Sequence, residues 1–256
     1  MVLVAEPVEP IHLAIDNPRM PKPWRPQSVQ VAYAELLDSV WGAAGAIGPG
    51  RLTSHWPLVG TAPERLLVVG QAVFGWIPDW RVADLGTPSG RAAILRETQL
   101  ACYELADPMS WIEEHRVRSS PFWRMVRRTV EALWPDSSLK WFSHVAWTNL
   151  YPIAPNDVKG NPSGALLEAQ TVPAARLLQA VADELDPVAV LVLGGPYWWP
   201  FQEHFPLTVL NRAERPLLAQ GTVNGRSWVA GMHPAGAQRY GWRVDDYARI
   251  VALRLR

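Results

Sequence analysis

Four short apolar runs, separated by stretches of helical spacing, set the pattern of the chain. "RLLVVG" (65–70), "WFSHVAWTN" (141–149), "PVAVLVLGG" (187–195) and "SWVAGMH" (227–233) have the apolar continuity of strands covered on both faces. They predict strands over 66–70, 143–148, 188–193 and 227–231. Between them, residues 28–45, 90–105, 121–134, 162–185 and 243–255 carry apolar positions at helical spacing, with Pro173 inside the fourth as a source of bending. Strands that alternate with helices imply parallel βαβ units with right-handed crossovers and helices on both faces. The expected fold is therefore α/β: a three-layer α/β/α sandwich around a central four-stranded parallel sheet. Residues 1–28, rich in proline and poor in periodicity, read as an N-terminal arm, and 29–256 as a single domain.

Composition narrows what such a domain does. A chain of 256 residues, 48% hydrophobic, has enough apolar surface for one full core. Lys plus Arg and Asp plus Glu both number 24, so no global field draws the chain to polyanions, and any nucleic-acid contact must come from a local patch. Cys102 is the only cysteine. That excludes an internal disulfide and any zinc or iron–sulfur site built from several thiolates of this chain, and it fits a reducing cytoplasm. No basic leader opens the sequence, and no apolar run approaches the ~20 residues needed to cross a bilayer. We expect a soluble cytoplasmic protein, monomeric, with no membrane partner, no cofactor and no metal.

In open parallel sheets, ligands bind beyond the carboxyl ends of the strands. The four loops there read "GQAVFGW", "NLYPIAPND", "GGPYWWP" and "HPAGAQRYGW". Three combine an uncharged hydrogen-bonding side chain with aromatics and prolines, which suits a flat, neutral ligand such as a nucleobase better than a phosphate.

These segments, taken in order, resemble the uracil-DNA glycosylase superfamily, and most closely the branch that usually carries an iron–sulfur cluster. The likeness runs from about residue 65 to residue 250. "LLVVGQA" resembles the first motif, a strand that ends in glycine and a polar residue; "SPFWRMVRRTVEAL" resembles the Pro-Phe segment that leads into a helix. "WTNLYPIAPNDVKGNPSGALLEA" resembles the strand whose asparagine reads the base, with its proline-rich loop and helix. "LDPVAVLVLGG" resembles the next strand, and "MHPAGAQRYGW" the His-Pro motif with a DNA-penetrating loop. The resemblance implies that Phe122 stacks on an extruded base and Asn149 reads its edge beside Ala72. It further implies that His233 stabilises the departing base, and that Gln238, Arg239 and Tyr240 enter a DNA groove.

The chemistry of these residue types agrees with that assignment. An amide accepts from a pyrimidine N3–H and donates to O4, and so separates uracil from cytosine; asparagine before Tyr151-Pro152 also serves as a plain turn cap. Phe122 offers a stacking face or a core position, and His233 a donor to a developing anion or an ordinary polar contact. Arg116, Arg118, Arg124, Arg127 and Arg128 suit phosphates or a solvated helix face. Two departures stand out. Cys102 alone rules out a cluster, and Gln71 replaces the first-motif glutamate. Glutamine cannot act as a base, though its carbonyl can orient water, and a nearby acid such as Asp79 or Asp84 could substitute. Two readings follow: DNA (damaged or single-stranded) as the partner of a glycosylase-like catalyst built on His233 and Gln71, or a non-catalytic member that binds a base, nucleotide or nucleic acid in the same pocket.

Overall fold

The computed structural model describes residues 24–72, 78–101, 108–114, 120–156 and 161–256. Helix α1 (Gln27–Gly42) and the short α2 (Ala44–Ile47) precede β1 (Arg51–Ser54), β2 (Leu58–Val59), β3 (Leu66–Ala72) and β4 (Asp79–Arg81). Then come α3 (Pro88–Leu100), α4 (Trp111–Glu114), α5 (Pro121–Leu133), β5 (Val145–Tyr151), β6 (Ile153–Pro155) and α6 (Gly164–Leu185). The chain continues through β7 (Ala189–Val192), β8 (Thr208–Val209), β9 (Leu217–Val223), β10 (Arg226–Gly231), α7 (Pro234–Arg239) and α8 (Val244–Leu255). It is an α/β fold.

The main sheet has seven strands in the order β2-β5-β3-β7-β10-β9-β8, and the pairings are mixed. β3 pairs in parallel with β5 and β7, and β10 with β7, whereas β2, β9 and β8 join antiparallel. The expected sheet of four parallel strands is thus a mixed sheet of seven. Its extra strands escaped the apolar pattern for a physical reason. β2 and β8 are two residues long, and β9 mixes Gln220, Gly221 and Thr222 into its run. The β9–β10 hairpin turns on Asn224 (φ 49°) and Gly225 (φ 79°), a pair whose left-handed backbone matches the strand twist. A second sheet, β4-β1-β6, is antiparallel throughout.

Boundaries shift in places. Gln27 and Ser28, placed in the arm by sequence, already belong to α1. Residues 141–144 form a 3-10 turn, so β5 starts at Val145 and continues through Tyr151, past Asn149. Residues 234–239, read as loop, form α7, with His233 as cap and Pro234 at the first helical position.

Local chemistry explains the elements that frame the site. Ser120 Oγ accepts from Trp123 N at 3.4 Å and Pro121 occupies the first turn, so α5 begins at the residue before Phe122. From there α5 buries Trp123, Met125, Val126 and Val130 and leaves its arginines outward, and it packs on α8. α6 packs on α1. Pro173, buried in α6, has no N–H for the carbonyl of Ala169, and Ser39 Oγ of α1 donates to that oxygen at 2.7 Å. The helix is therefore continuous through its proline. Among the described residues, no helix is long and apolar enough to cross a membrane.

Candidate functional site

Gly70 is the point from which the site is built. It stands opposite Asn149 in the parallel β3–β5 register. A Cβ at Gly70 would lie 2.5 Å from Asn149 Oδ1 and 3.4 Å from Trp147 Nε1, so only glycine lets the amide rest against the β3 backbone. Asn149 is 5% exposed, and its Nδ2 has no hydrogen-bond partner among the described residues. A buried donor left unanswered costs about 1–3 kcal/mol, so the fold tolerates here a group that an acceptor from outside would satisfy.

From Gly70 a closed ring of contacts can be followed. Gln71 Nε2 donates to the Gly194 carbonyl at 3.0 Å, and its Oε1 accepts from Asn161 Nδ2 at 3.4 Å. Gly195 (φ 56°) comes next, and a Cβ there would lie 3.4 Å from His233 N and 3.5 Å from Gln71 Nε2. The His233 ring stacks on Phe122 with centroids 5.9 Å apart and planes 20° apart. Phe122 meets Trp123 edge-on at 4.8 Å, and Trp123 meets Trp147 at 5.1 Å, which returns the ring to Gly70. Gln71, Asn149, Phe122 and His233, remote in sequence, are thus linked through shared neighbours at the carboxyl ends of β3, β7 and β10. Ala72, the last residue of β3, is half-buried and pairs with Tyr151.

The tautomer of His233 follows from its contacts. Its Nδ1 accepts the Ala235 N–H at 3.3 Å and so carries no proton. Burial lowers its pKa, because the charged ring is poorly solvated there. A neutral imidazole with its proton on Nε2 results, a hydrogen-bond donor without formal charge. The loop is stapled on both sides of Met232: Met232 N donates to Pro216 O and Tyr247 Oη donates to Met232 O, each at 2.9 Å. Gly231 must be glycine for this, since a Cβ there would overlap Tyr247 Oη at 2.0 Å.

The other candidates divide. Gln238, Arg239 and Tyr240 lie exposed at the end of α7, with Tyr240 63% exposed. Arg127 and Arg128 are held by Glu131, and Arg128 also by Asp245, so these two members of the expected phosphate cluster lie on a neutralised helix face. Arg124 is exposed with no ion-pair partner among the described residues, whereas Arg116 and Arg118 lie outside them. Asp79 is bound by Arg51 at 2.8 Å, which lowers its pKa, and Asp84 accepts from Arg81 N at 2.8 Å. Neither acid is hydrogen-bonded to a member of the ring. Cys102 is outside the described residues, and among those described no group of His, Cys, Asp and Glu could hold a metal.

Sequence reasoning did not single out Gly70, Trp123, Trp147, Gly194 or Gly195. The paired glycines after β7 were the available signal, because successive glycines at a strand end mark close backbone approach. No protein-family model matches the chain, and no curated protein sequence matches it.

Proposed function

We propose that the chain is a uracil-DNA glycosylase-like protein whose strand-end site takes up an extruded, deaminated base from DNA. The carrying observation is the buried, unanswered Nδ2 of Asn149. A donor there, beside the amide oxygen, complements O4 and N3–H of uracil and mismatches the amino group of cytosine. Phe122 supplies a face for the base, and stacking on an aromatic is worth roughly 1–3 kcal/mol. The Nε2–H of His233 suits an oxygen of the departing base that becomes negative as the N-glycosidic bond lengthens. A neutral donor there leaves the proton count unchanged.

The three-layer arrangement of the family is supported by topology. The connection from β3 to β5 and that from β5 to β7 run in opposite directions across the sheet, and right-handed crossovers of opposite direction fall on opposite faces. α5 with α8 then covers one face and α6 with α1 the other.

The second reading, binding without cleavage, is favoured by Gln71. Its Nε2 is committed to Gly194, its Oε1 is engaged by Asn161, and no side chain of the ring is a carboxylate. A positioned base typically contributes ~10²–10⁴-fold, so cleavage should be slow while binding persists. The test is single-turnover incubation with uracil-, hypoxanthine- and xanthine-containing oligonucleotides, with abasic sites revealed by alkali. Uracil-containing strands should be bound in preference to the same strands with cytosine, and cleaved slowly. Gln71→Glu should raise cleavage, and Asn149→Ala should abolish the preference. Wild type that binds uracil and cytosine strands alike sinks the proposal; retained preference without abasic product selects the binding reading.

A further inference from the structure

Eight of the described arginines are paired with acids, and where those acids lie decides where positive charge is left over. Arg51 meets Asp79, Arg91 meets Asp38, Arg176 meets Glu35, and Arg226 meets both Asp183 and Asp186. Around the end of α7 the nearby acids are taken by arginines outside the cluster. Glu214, adjacent in sequence to Arg215, pairs instead with Arg254 at 2.9 Å, and Asp245 and Asp246 pair with Arg128 and Arg249. Arg215, Arg239 and Arg243 are left without a carboxylate among the described residues. In a chain with equal numbers of acidic and basic residues, positive charge accumulates here because the local acids are engaged elsewhere.

One of these arginines lies on an aromatic face. The Arg215 guanidinium carbon lies 5.4 Å from the centroid of the Tyr240 ring, a cation–π contact that covers one face of a side chain otherwise 63% exposed. Arg215 is not a loose surface residue. The carbonyl of the next residue, Pro216, accepts from Met232 N at 2.9 Å, beside His233. The platform and the His233 loop are therefore fixed to one another by backbone.

We infer that Arg215 and Tyr240 form a binding platform for single-stranded nucleic acid, in which an unpaired base stacks on the open face of Tyr240 and a neighbouring phosphate meets Arg215. That the platform serves the strand whose base enters the neighbouring site rests on the base-binding reading above; the choice of an unpaired strand does not. Stacking needs a base with a free π-face, which a continuous duplex does not offer, so the surface selects an unpaired stretch. The guanidinium suits the double role, being planar against the ring and a fork of donors at its edge.

The experiment measures anisotropy of fluorescein-labelled oligonucleotides, undamaged or with one uracil, single-stranded or duplex, across a salt series. Wild type should bind undamaged single strand more tightly than duplex. Tyr240→Ala should weaken single-strand binding roughly tenfold or more, and Tyr240→Phe should retain it. Arg215→Ala should weaken it by about tenfold and flatten the salt dependence by about 0.7 in log–log slope, the value for one phosphate of a single strand. Arg215→Lys should keep the slope and lose part of the affinity, because a point charge does not stack. Wild-type affinity in both alanine variants overturns the inference, as does an equal loss on duplex and single strand. If the wild type shows no uracil preference but binds undamaged single strand through Arg215 and Tyr240, the inference stands and the base-binding reading falls. No binding to any oligonucleotide overturns both.

Discussion

Two buried amides, Gln170 on α6 and Asn149 on β5, have the same functional group and opposite surroundings. Gln170 is fully enclosed, and its Nε2 donates to Ile153 O at 2.8 Å and Leu166 O at 3.1 Å while its Oε1 accepts from Ile153 N at 3.0 Å. It clamps β6 to α6 by behaving like a strand neighbour. Asn149, nearly as enclosed, leaves its donor open. One amide is spent on holding the fold, and the other leaves its donor without a partner among the described residues. The lesson is that burial alone does not distinguish a structural polar group from a functional one; an unanswered donor points to function only where it also lies in a site, since Gln99 Nε2 on α3 is equally buried and unanswered.

The contrast can be broken at several points. Gln170→Ala orphans both backbone groups of Ile153 and opens a cavity, so urea unfolding should show a loss of about 3–4 kcal/mol. Asn149→Leu, by comparison, removes an unanswered donor and should change stability by about 1 kcal/mol or less, in either direction, while uracil preference disappears. A result with the two costs reversed would refute the distinction. A second arm uses the histidines. His55, wholly buried against Trp147, has its pKa lowered by desolvation from 6.5 to about 3. Between those values the unfolded chain binds a proton that the folded chain refuses, so stability is highest above pH 6.5 and falls as the pH drops. The loss should be about 2 kcal/mol by pH 5, and His55→Leu should flatten that part of the profile. His233, also lowered, adds to the same slope, and base binding should weaken in acid as its ring takes a proton. The smallest effect belongs to Ser39→Ala, which leaves the Ala169 carbonyl unanswered at Pro173 and should cost about 1 kcal/mol. In Pro173→Ala the helix N–H is restored, so the same Ser39→Ala change should cost less, and a double-mutant cycle measures the difference.

Much of the inner architecture was legible because burial on both faces writes itself as uninterrupted aliphatic sequence. β3, β5, β7 and β10 were read that way to within a few residues. β1, β4 and β6 were not, since strands of three or four residues are too short for a period to be counted. The hairpin at Asn224-Gly225 had an explicit signal in its dipeptide, and α7 had one in Pro234. At the site, the residue types pointed to Asn149, Phe122 and His233, but no pattern in one dimension reports that Gln71 reaches Gly194 or that Arg215 lies on Tyr240. Such contacts belong to topology.

The parallel register that sets Gly70 opposite Asn149 has a further consequence, for temperature. The amide stands on backbone paired between β3 and β5, so its placement relative to the rest of the site cannot loosen by degrees. Moving it requires β3 and β5 to unzip. Discrimination between bases should therefore stay level on warming and vanish together with the sheet, rather than erode ahead of it.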